Sequence, residues 1–340
     1  MLNKKIKKNH KEDWITELTN AITNPDELLR TLNLKSNTKY FKNIQVQKLF
    51  SLRVPKTFVS RMKKNDPFDP LLLQILPHTK ELKNNHNFVQ DPLEETKNVI
   101  IPGLIRKYNN RILLLLKTNC AINCRYCFRR YFPYSQHPGN KENLNLAIQY
   151  IKNQTDLNEV ILSGGDPLMA KDHEIQWIVN TLSNIYHIKR LRIHTRLPIV
   201  IPSRITNNLC KILSTTRLKI LIVTHINHAQ EINHELQYNI NKLHKLGITL
   251  LNQSVLLRGI NDNAKILSQL SNKLFDINIL PYYLHILDKV KSTTHFYVSE
   301  KQASIIVVEL LSMISGFLVP KLVCEHPGKN SKIYINLNMK

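Results

Sequence analysis

From Arg111 onward the chain alternates short apolar runs with longer amphipathic stretches. Ile112 to Leu116, Val160 to Ser163, Leu191 to Thr195, Ile220 to Thr224, Thr249 to Ser254 and Ile277 to Tyr282 are rich in Ile, Leu and Val and are too short for helices. They predict six buried strands. Between them, Glu142 to Lys152, Glu174 to Asn184, Ser203 to Leu213, Glu231 to Leu246 and Ala264 to Leu274 repeat apolar positions at helical spacing. Strand then helix, repeated, implies a parallel sheet, because parallel neighbours need a crossover between them. With chemistry-bearing residues just beyond several strands, the pattern predicts an α/β fold. The specific form is an incomplete (β/α)6 TIM-like barrel whose site lies at the carboxyl ends of its strands. A doubly wound open sheet competes, but its Gly-x-Gly-x-x-Gly fingerprint is absent.

Ahead of this rhythm, residues 1 to about 95 are polar, basic and broken by prolines. One helix is expected near Glu12 to Thr23, and Asn24-Pro25-Asp26-Glu27 is a start signal for another. We expect an N-terminal helical region over 1–95 and a barrel with a C-terminal loop over 96–340. Ala303 to Val319 is apolar but carries Glu309 and is broken by Gly316 before Pro320, so it reads as a core helix followed by a strand, with no membrane span. No signal sequence opens the chain, and five cysteines are too few and too clustered for a disulfide framework, which points to a reducing cytoplasm. The net charge of +23 raises the question of nucleic acid. It is dispersed, as in Lys4-Lys5-Ile6-Lys7-Lys8-Asn9, and no basic run interleaves with stacking aromatics, so compositional drift is the better reading.

Cys120, Cys124 and Cys127 form a Cx3Cx2C run directly after the first strand. Three thiolates on one short loop fill three corners of a [4Fe–4S] cubane and leave the fourth iron open to a small molecule. A structural zinc site would need a fourth ligand, and Cys210 and Cys324 have no CxxC spacing. Cys210 reads as a core thiol, and Cys324 as one buried beside the C-terminal loop. His225 and His228 have the spacing of a metal pair, but no acidic or cysteine partner nearby completes a set, so they read as site-lining or structural histidines. In Ser163-Gly164-Gly165-Asp166-Pro167, adjacent glycines end the second strand where a backbone can approach a ligand closely.

The cysteine triple, with Tyr126 before its last member, resembles that of radical S-adenosylmethionine enzymes. The resemblance implies that S-adenosylmethionine chelates the open iron and is cleaved to a 5'-deoxyadenosyl radical. It further implies that Gly164, Gly165 and Asp166 contact the methionyl end, with Tyr126 and Gln253 as further cofactor-site residues. Longer segments resemble the lysine 2,3-aminomutases: Thr224-His225-Ile226-Asn227-His228, Asn252 to Asp262, Pro281-Tyr282-Tyr283-Leu284 and the tail Cys324 to Lys332. In that family a lysine five residues beyond the proline of a Gly-rich turn carries pyridoxal phosphate, which places the role on Lys332, with Lys329 as fallback. The family's glycine run is replaced here by Gly328-Lys329-Asn330-Ser331.

The same resemblance assigns Asp288 and Glu325 to the ε-ammonium of L-lysine, and Arg129 to the substrate carboxylate through its planar fork. Glu325 stands where the free-lysine enzymes have Asp. Arg111 matches another cofactor-site arginine, with a structural ion pair at the strand start as the other reading. The implied reaction moves the amine of L-lysine from Cα to Cβ, with the unpaired electron spread over the imine and pyridine ring. The run Pro281 to Val290 and the end of the chain eight residues after Lys332 resemble the branch that makes (R)-β-lysine for translation elongation factor P. A reductase or flavodoxin-like electron donor and an elongation factor P ligase are the implied partners, with no nucleic acid or membrane. The rival readings are an aminomutase for another amino acid and an RNA-modifying radical enzyme.

Overall fold

A computed structural model describes residues 13–34, 46, 49–83 and 85–337. The Lys4 to Asn9 run lies outside them. Six parallel strands form where the apolar runs lie: β3 (Arg111–Lys117), β4 (Glu159–Gly164), β5 (Arg190–Thr195), β6 (Lys219–Thr224), β7 (Thr249–Val255) and β8 (Leu280–His285). Before them a short antiparallel edge is built from β1 (Val99–Ile101) and β2 (Leu104–Ile105). After them β9 (Lys321–Cys324) pairs parallel with β8, and β10 (Ile333–Tyr334) returns antiparallel on β9. The strands lie in sequence order in one ten-stranded sheet, a partial barrel that extends the expected six parallel strands by a seventh.

Crossovers are made by α5 (Lys141–Asn153), α6 (Asp172–Ser183), α8 (Asn207–Ser214), α9 (His234–Lys245), α10 (Ala264–Asp276) and α11 (Glu300–Met313), with the one-turn α7 (Leu197–Val200) after β5. Two boundaries differ from expectation for local reasons. Pro202–Arg204 forms a separate 3-10 turn and Thr206 caps α8 through its side chain, so that helix starts later than Ser203. The β8 run starts at Leu280, not Ile277, because α10 is closed by Ile277 to Ile279: Asn278 takes φ +63° and the Ile279 N–H donates to Leu274 O. The apolar Ala303 to Val319 segment is a helix and a turn, with the strand only beyond Pro320.

Successive strand residues point to opposite faces. Val160 and Leu162 pack outward in one apolar cluster with Ala147, Ile151, Ile175 and Ile178 of the flanking helices. Ile161 and Ser163 face inward and line the central cavity, as do Arg192 and His194 on β5 and Gln253 and Val255 on β7.

The N-terminal segment carries α1 (Asp13–Thr19), α2 (Pro25–Thr31), α3 (Lys56–Val59) and α4 (Pro70–Leu73). The Asn24 side chain caps α2 as its sequence signals, accepting from the Asp26 N–H at 2.8 Å. Trp14, Leu28, Phe58 and Leu71 bury themselves in the same apolar cluster as the barrel strands. The segment therefore shares the barrel's core, and it reaches the cysteine loop. Asn123 N–H donates to Arg53 O at 3.0 Å and Arg125 N–H to Gln74 O at 2.8 Å. The fully buried Arg125 guanidinium grips Glu81, with Nε at 2.8 Å from Oε1.

Candidate active site

Among the described residues, a large cavity of about 990 Å³ opens at the carboxyl ends of the parallel strands. Cys120, Cys124, Cys127, Tyr126, Gly164, Gly165, Gln253, Arg111, Arg129, Asp288, Glu325 and Lys332 all lie on its wall. Residues separated by up to 221 positions are thus brought to one place by the barrel topology, since each sits just beyond, or facing inward from, a strand.

The cysteine loop leaves β3 and turns tightly, with Cys127 N–H donating to Cys124 O at 3.1 Å. Burial and the neighbouring thiols push the Cys127 thiol up to about 11, and burial pushes Cys120 well above the ordinary thiol value. Three sulfurs on one short loop suit a cationic iron centre that would take their protons' place. Among the described residues, the one His, Cys, Asp or Glu trio whose donor atoms all lie within 4.8 Å of one another is Glu300, Cys324 and His326. The Cys120 loop is thus not drawn in as a single-ion site, which suits a cluster.

The two glycines are explained by chain packing. Gly164 has φ +131°, and a Cβ there would lie 2.0 Å from Lys117 O; at Gly165 it would lie 2.4 Å from Asn119 O. The strand end is thereby seated against the root of the cysteine loop, with Gly165 N–H on Lys117 O at 2.7 Å and Asp166 N–H on Asn119 O at 3.0 Å. Asp166 carries a structural role that the sequence reading did not assign. Its carboxylate accepts from Leu168 N–H, Thr195 Oγ1, Arg196 N–H and Leu197 N–H, and its own carbonyl accepts from Met169 N–H. Asp166 thereby braces the turn, and it lines the cavity beside Gly164 and Gly165.

Arg129 departs from expectation. Its Nε and Nη2 meet Glu95 at 2.6 and 2.8 Å, and Nη1 donates to Ser163 Oγ at 2.9 Å and Gly164 O at 3.2 Å. Four of its five N–H donors are occupied, so its fork faces Glu95 and a single Nη2 donor remains. Burial works against the guanidinium charge, but the Glu95 carboxylate holds its pKa above the usual value. Arg111 has no carboxylate partner among the described residues; it stacks 3.8 Å from the centre of the Tyr108 ring.

At the opposite wall Glu325 follows β9 and receives Lys332 Nζ at 2.5 Å, Lys107 Nζ at 2.5 Å and Tyr108 Oη at 3.1 Å. Burial opposes the Glu325 charge, yet the two ammoniums hold its carboxyl well below the usual range. Lys332 faces the cavity, with Nζ 6.0 Å from the Tyr283 ring centre, whereas Lys329 is exposed and off the cavity wall. Asp288, on the loop after β8, accepts from Val290 N–H at its backbone carbonyl, while its carboxyl meets no hydrogen-bond donor among the described residues; burial together with the nearby Glu325 charge pushes that carboxyl up to about 7. The Gln253 amide is likewise unengaged among the described residues.

The sequence reading missed a buried polar network behind the cysteines. Arg196, directly after β5, donates to Cys124 Sγ at 2.7 Å, Tyr126 Oη at 2.5 Å, Gln74 Oε1 at 2.8 Å and Glu231 Oε2 at 2.9 Å. Tyr126 also meets His225 Nε2 at 2.9 Å and Asn227 Nδ2 at 2.8 Å, so it is fixed on every side. His225 lines the cavity, while His228 caps the turn at Ala229 through Nδ1; the two do not act as a metal pair. His194 and His285 also line the cavity, each with a buried, unpartnered Nε2, and burial pushes His285 down to about 3. Cys210 packs in the core on α8 and Cys324 is buried beneath α11. The position of Arg196 after a strand end was the available signal; its partners on residues 74 and 231 were not.

A family model described as a 4Fe-4S single cluster domain matches residues 109–197, the stretch that holds the cysteine loop, the glycine turn and Arg196. The chain is 52% identical over 330 residues to the L-lysine 2,3-aminomutase of Escherichia coli (strain K12), covering 97% of this chain and 96% of the relative. It is 50% identical to that of Haemophilus influenzae, covering 94% and 95%, and 35% identical to that of Clostridium subterminale, covering 94% and 77%. Identity at this level over nearly the whole length means that the chain belongs to the L-lysine 2,3-aminomutase family, radical S-adenosylmethionine isomerases whose cofactors are a [4Fe–4S] cluster, S-adenosylmethionine and pyridoxal phosphate.

Proposed function

We propose that this chain moves the α-amine of L-lysine to Cβ, and that the product is (R)-β-lysine, made in the cytoplasm for attachment to translation elongation factor P by a separate ligase. The carrying observation is the pair of acids, Asp288 and Glu325, on the cavity wall beside Lys332. The Pro281 to Val290 run supports the branch. No helix among the described residues is long and apolar enough to cross a membrane.

In this reading Cys120, Cys124 and Cys127 would hold three irons, and Gln253 and His225 line the same cavity. Lys332 would hold pyridoxal phosphate through its amine, while the further N–H donors of Lys107 and of Arg111, whose guanidinium meets no carboxylate among the described residues, would serve a phosphate. Bound there, the cofactors supply a carbon-centred radical and a conjugated ring that delocalises an unpaired electron. With Lys332 engaged by the cofactor, Glu325 Oε2, which Lys332 Nζ occupies here, would be available to the substrate ε-ammonium. Asp288, with no competing partner, offers the second acceptor. The remaining Nη2 donor of Arg129 serves the substrate carboxylate in a monodentate contact, and Glu95 keeps that guanidinium in place. A flavodoxin-like reductase supplies the electron.

Reconstituted protein with S-adenosylmethionine, pyridoxal phosphate, reductant and L-lysine is expected to yield β-lysine, resolved by chiral chromatography as the R form. No β-lysine refutes the reaction. The S enantiomer refutes the elongation factor P branch while leaving the reaction intact.

A further inference from the structure

Away from the cavity, Cys324 closes β9, and Glu325 and His326 follow it directly in the chain. Glu325 lines the cavity, and Cys324 and His326 do not. Cys324 is buried in the apolar cluster between the sheet and α11, and its Sγ lies 3.3 Å from His326 Nε2. Glu300, the first residue of α11 after the Ser299 cap, brings a carboxylate to the same point, and the thiol, imidazole and carboxylate donors all lie within 4.8 Å of one another.

We propose that Cys324, His326 and Glu300 form a second metal site, for zinc or a similarly thiophilic divalent cation, on the outer face of the strand end that presents Glu325. The donor types suit zinc, for which Cys, His and carboxylate are the ordinary ligands. A tetrahedral zinc with bonds of about 2.3 Å to sulfur and 2.0 Å to nitrogen puts those two ligands about 3.5 Å apart, close to the separation seen. The exposed Glu300 side chain can close the remaining distance by changing rotamer. A thiol–imidazole hydrogen bond alone would explain the 3.3 Å contact, but it gives no reason for a carboxylate at the same point. Binding replaces the Cys324 thiol proton, which leaves to solvent, with a metal–sulfur bond, and water takes the fourth position. The ion would tie the segment on either side of Glu325 to the start of α11 and so stiffen the acid that faces the cavity. The metal site rests on Cys324, His326 and Glu300 alone, and only its effect on Glu325 rests on the function proposed above.

The test uses cluster-loaded enzyme, so that Cys120, Cys124 and Cys127 are already occupied by iron. After incubation with zinc chloride and gel filtration, zinc and iron per chain are measured by mass spectrometry, and the zinc X-ray absorption spectrum is recorded. One zinc per chain with a single sulfur at about 2.3 Å is expected, with at least tenfold weaker binding in Cys324→Ser and His326→Asn and unchanged iron. His326 is exposed, so its replacement does not depend on core packing. Absence of zinc from the wild-type enzyme, full retention in His326→Asn, or a zinc spectrum without sulfur each overturns the proposal.

Discussion

Gly165→Ala tests the junction on which the cluster site depends. The added Cβ would stand 2.4 Å from Asn119 O, 2.6 Å from Asn119 C and 2.7 Å from Asn119 N, all backbone atoms next to Cys120. No rotamer relieves a backbone clash, so Asn119 must retreat by about 1 Å to reach ordinary van der Waals distance, and the Asp166 N–H bond to Asn119 O stretches with it. Overpacking of this kind costs about 1–3 kcal/mol, and weakening the hydrogen bond adds about 1 kcal/mol. A total of about 2–4 kcal/mol lowers the melting temperature by about 3–6 °C for a chain of this size. Gly316→Ala is the control, since nothing lies within 4 Å of its added Cβ. Calorimetry of the cluster-free proteins and iron analysis after anaerobic reconstitution are the assays. We expect Gly165→Ala to melt early and to bind less iron, and Gly316→Ala to match the wild type in both. If Gly165→Ala melts within about 1 °C of wild type and takes up full iron, the seating of the glycine turn on the cysteine loop is wrong.

Three further outcomes follow from the site. Lys332→Ala is expected to abolish the visible absorption of bound pyridoxal phosphate and Lys329→Ala to keep it, because only Lys332 faces the cavity; the opposite pattern in a spectrophotometric titration would exchange the two roles. Cys127→Ser is expected to lose the iron chromophore and all turnover while retaining the pyridoxal absorption, since Lys332 and Glu325 sit on another wall; simultaneous loss of both signals in a folded protein would contradict this separation. Asp288 holds its proton in the folded chain up to about pH 7, against an ordinary value of 3.8, so the folded state carries the extra proton in that window and loses stability as pH rises through it. Asp288→Asn should therefore gain stability relative to wild type between pH 4 and 7 in urea titrations, and the wild-type KM for lysine should fall as pH rises through 7. Parallel pH curves for the two proteins would refute the buried-acid assignment.

Much of this protein is settled by information local in the chain. Apolar runs separated by amphipathic stretches specify strand and helix wherever a strand is buried on both faces, which is why β3 to β7 fall where the pattern puts them. The Cx3Cx2C loop is legible because all its ligands lie within eight residues. Where the pattern misled, a local competitor won: the αL turn at Asn278 delayed β8, and Pro202 delayed α8. Tertiary structure decided whatever depends on a distant partner. Arg129 carries the charge expected of a carboxylate clamp, but Glu95, 34 residues away, takes its fork. Asp166 stands on the cavity wall, and its ties to Thr195 and to the backbone of β5's exit depend on strands laid side by side. Arg196 becomes a neighbour of Cys124 only when β5 is laid beside β4 and the N-terminal segment brings Gln74 over it. The choice between Lys332 and Lys329 turns on β10 pairing with β9, which swings Lys332 inward toward Glu325. A sequence specifies which groups are available, but burial and hydrogen-bond saturation, set by segments far apart in the chain, decide which remain free to act.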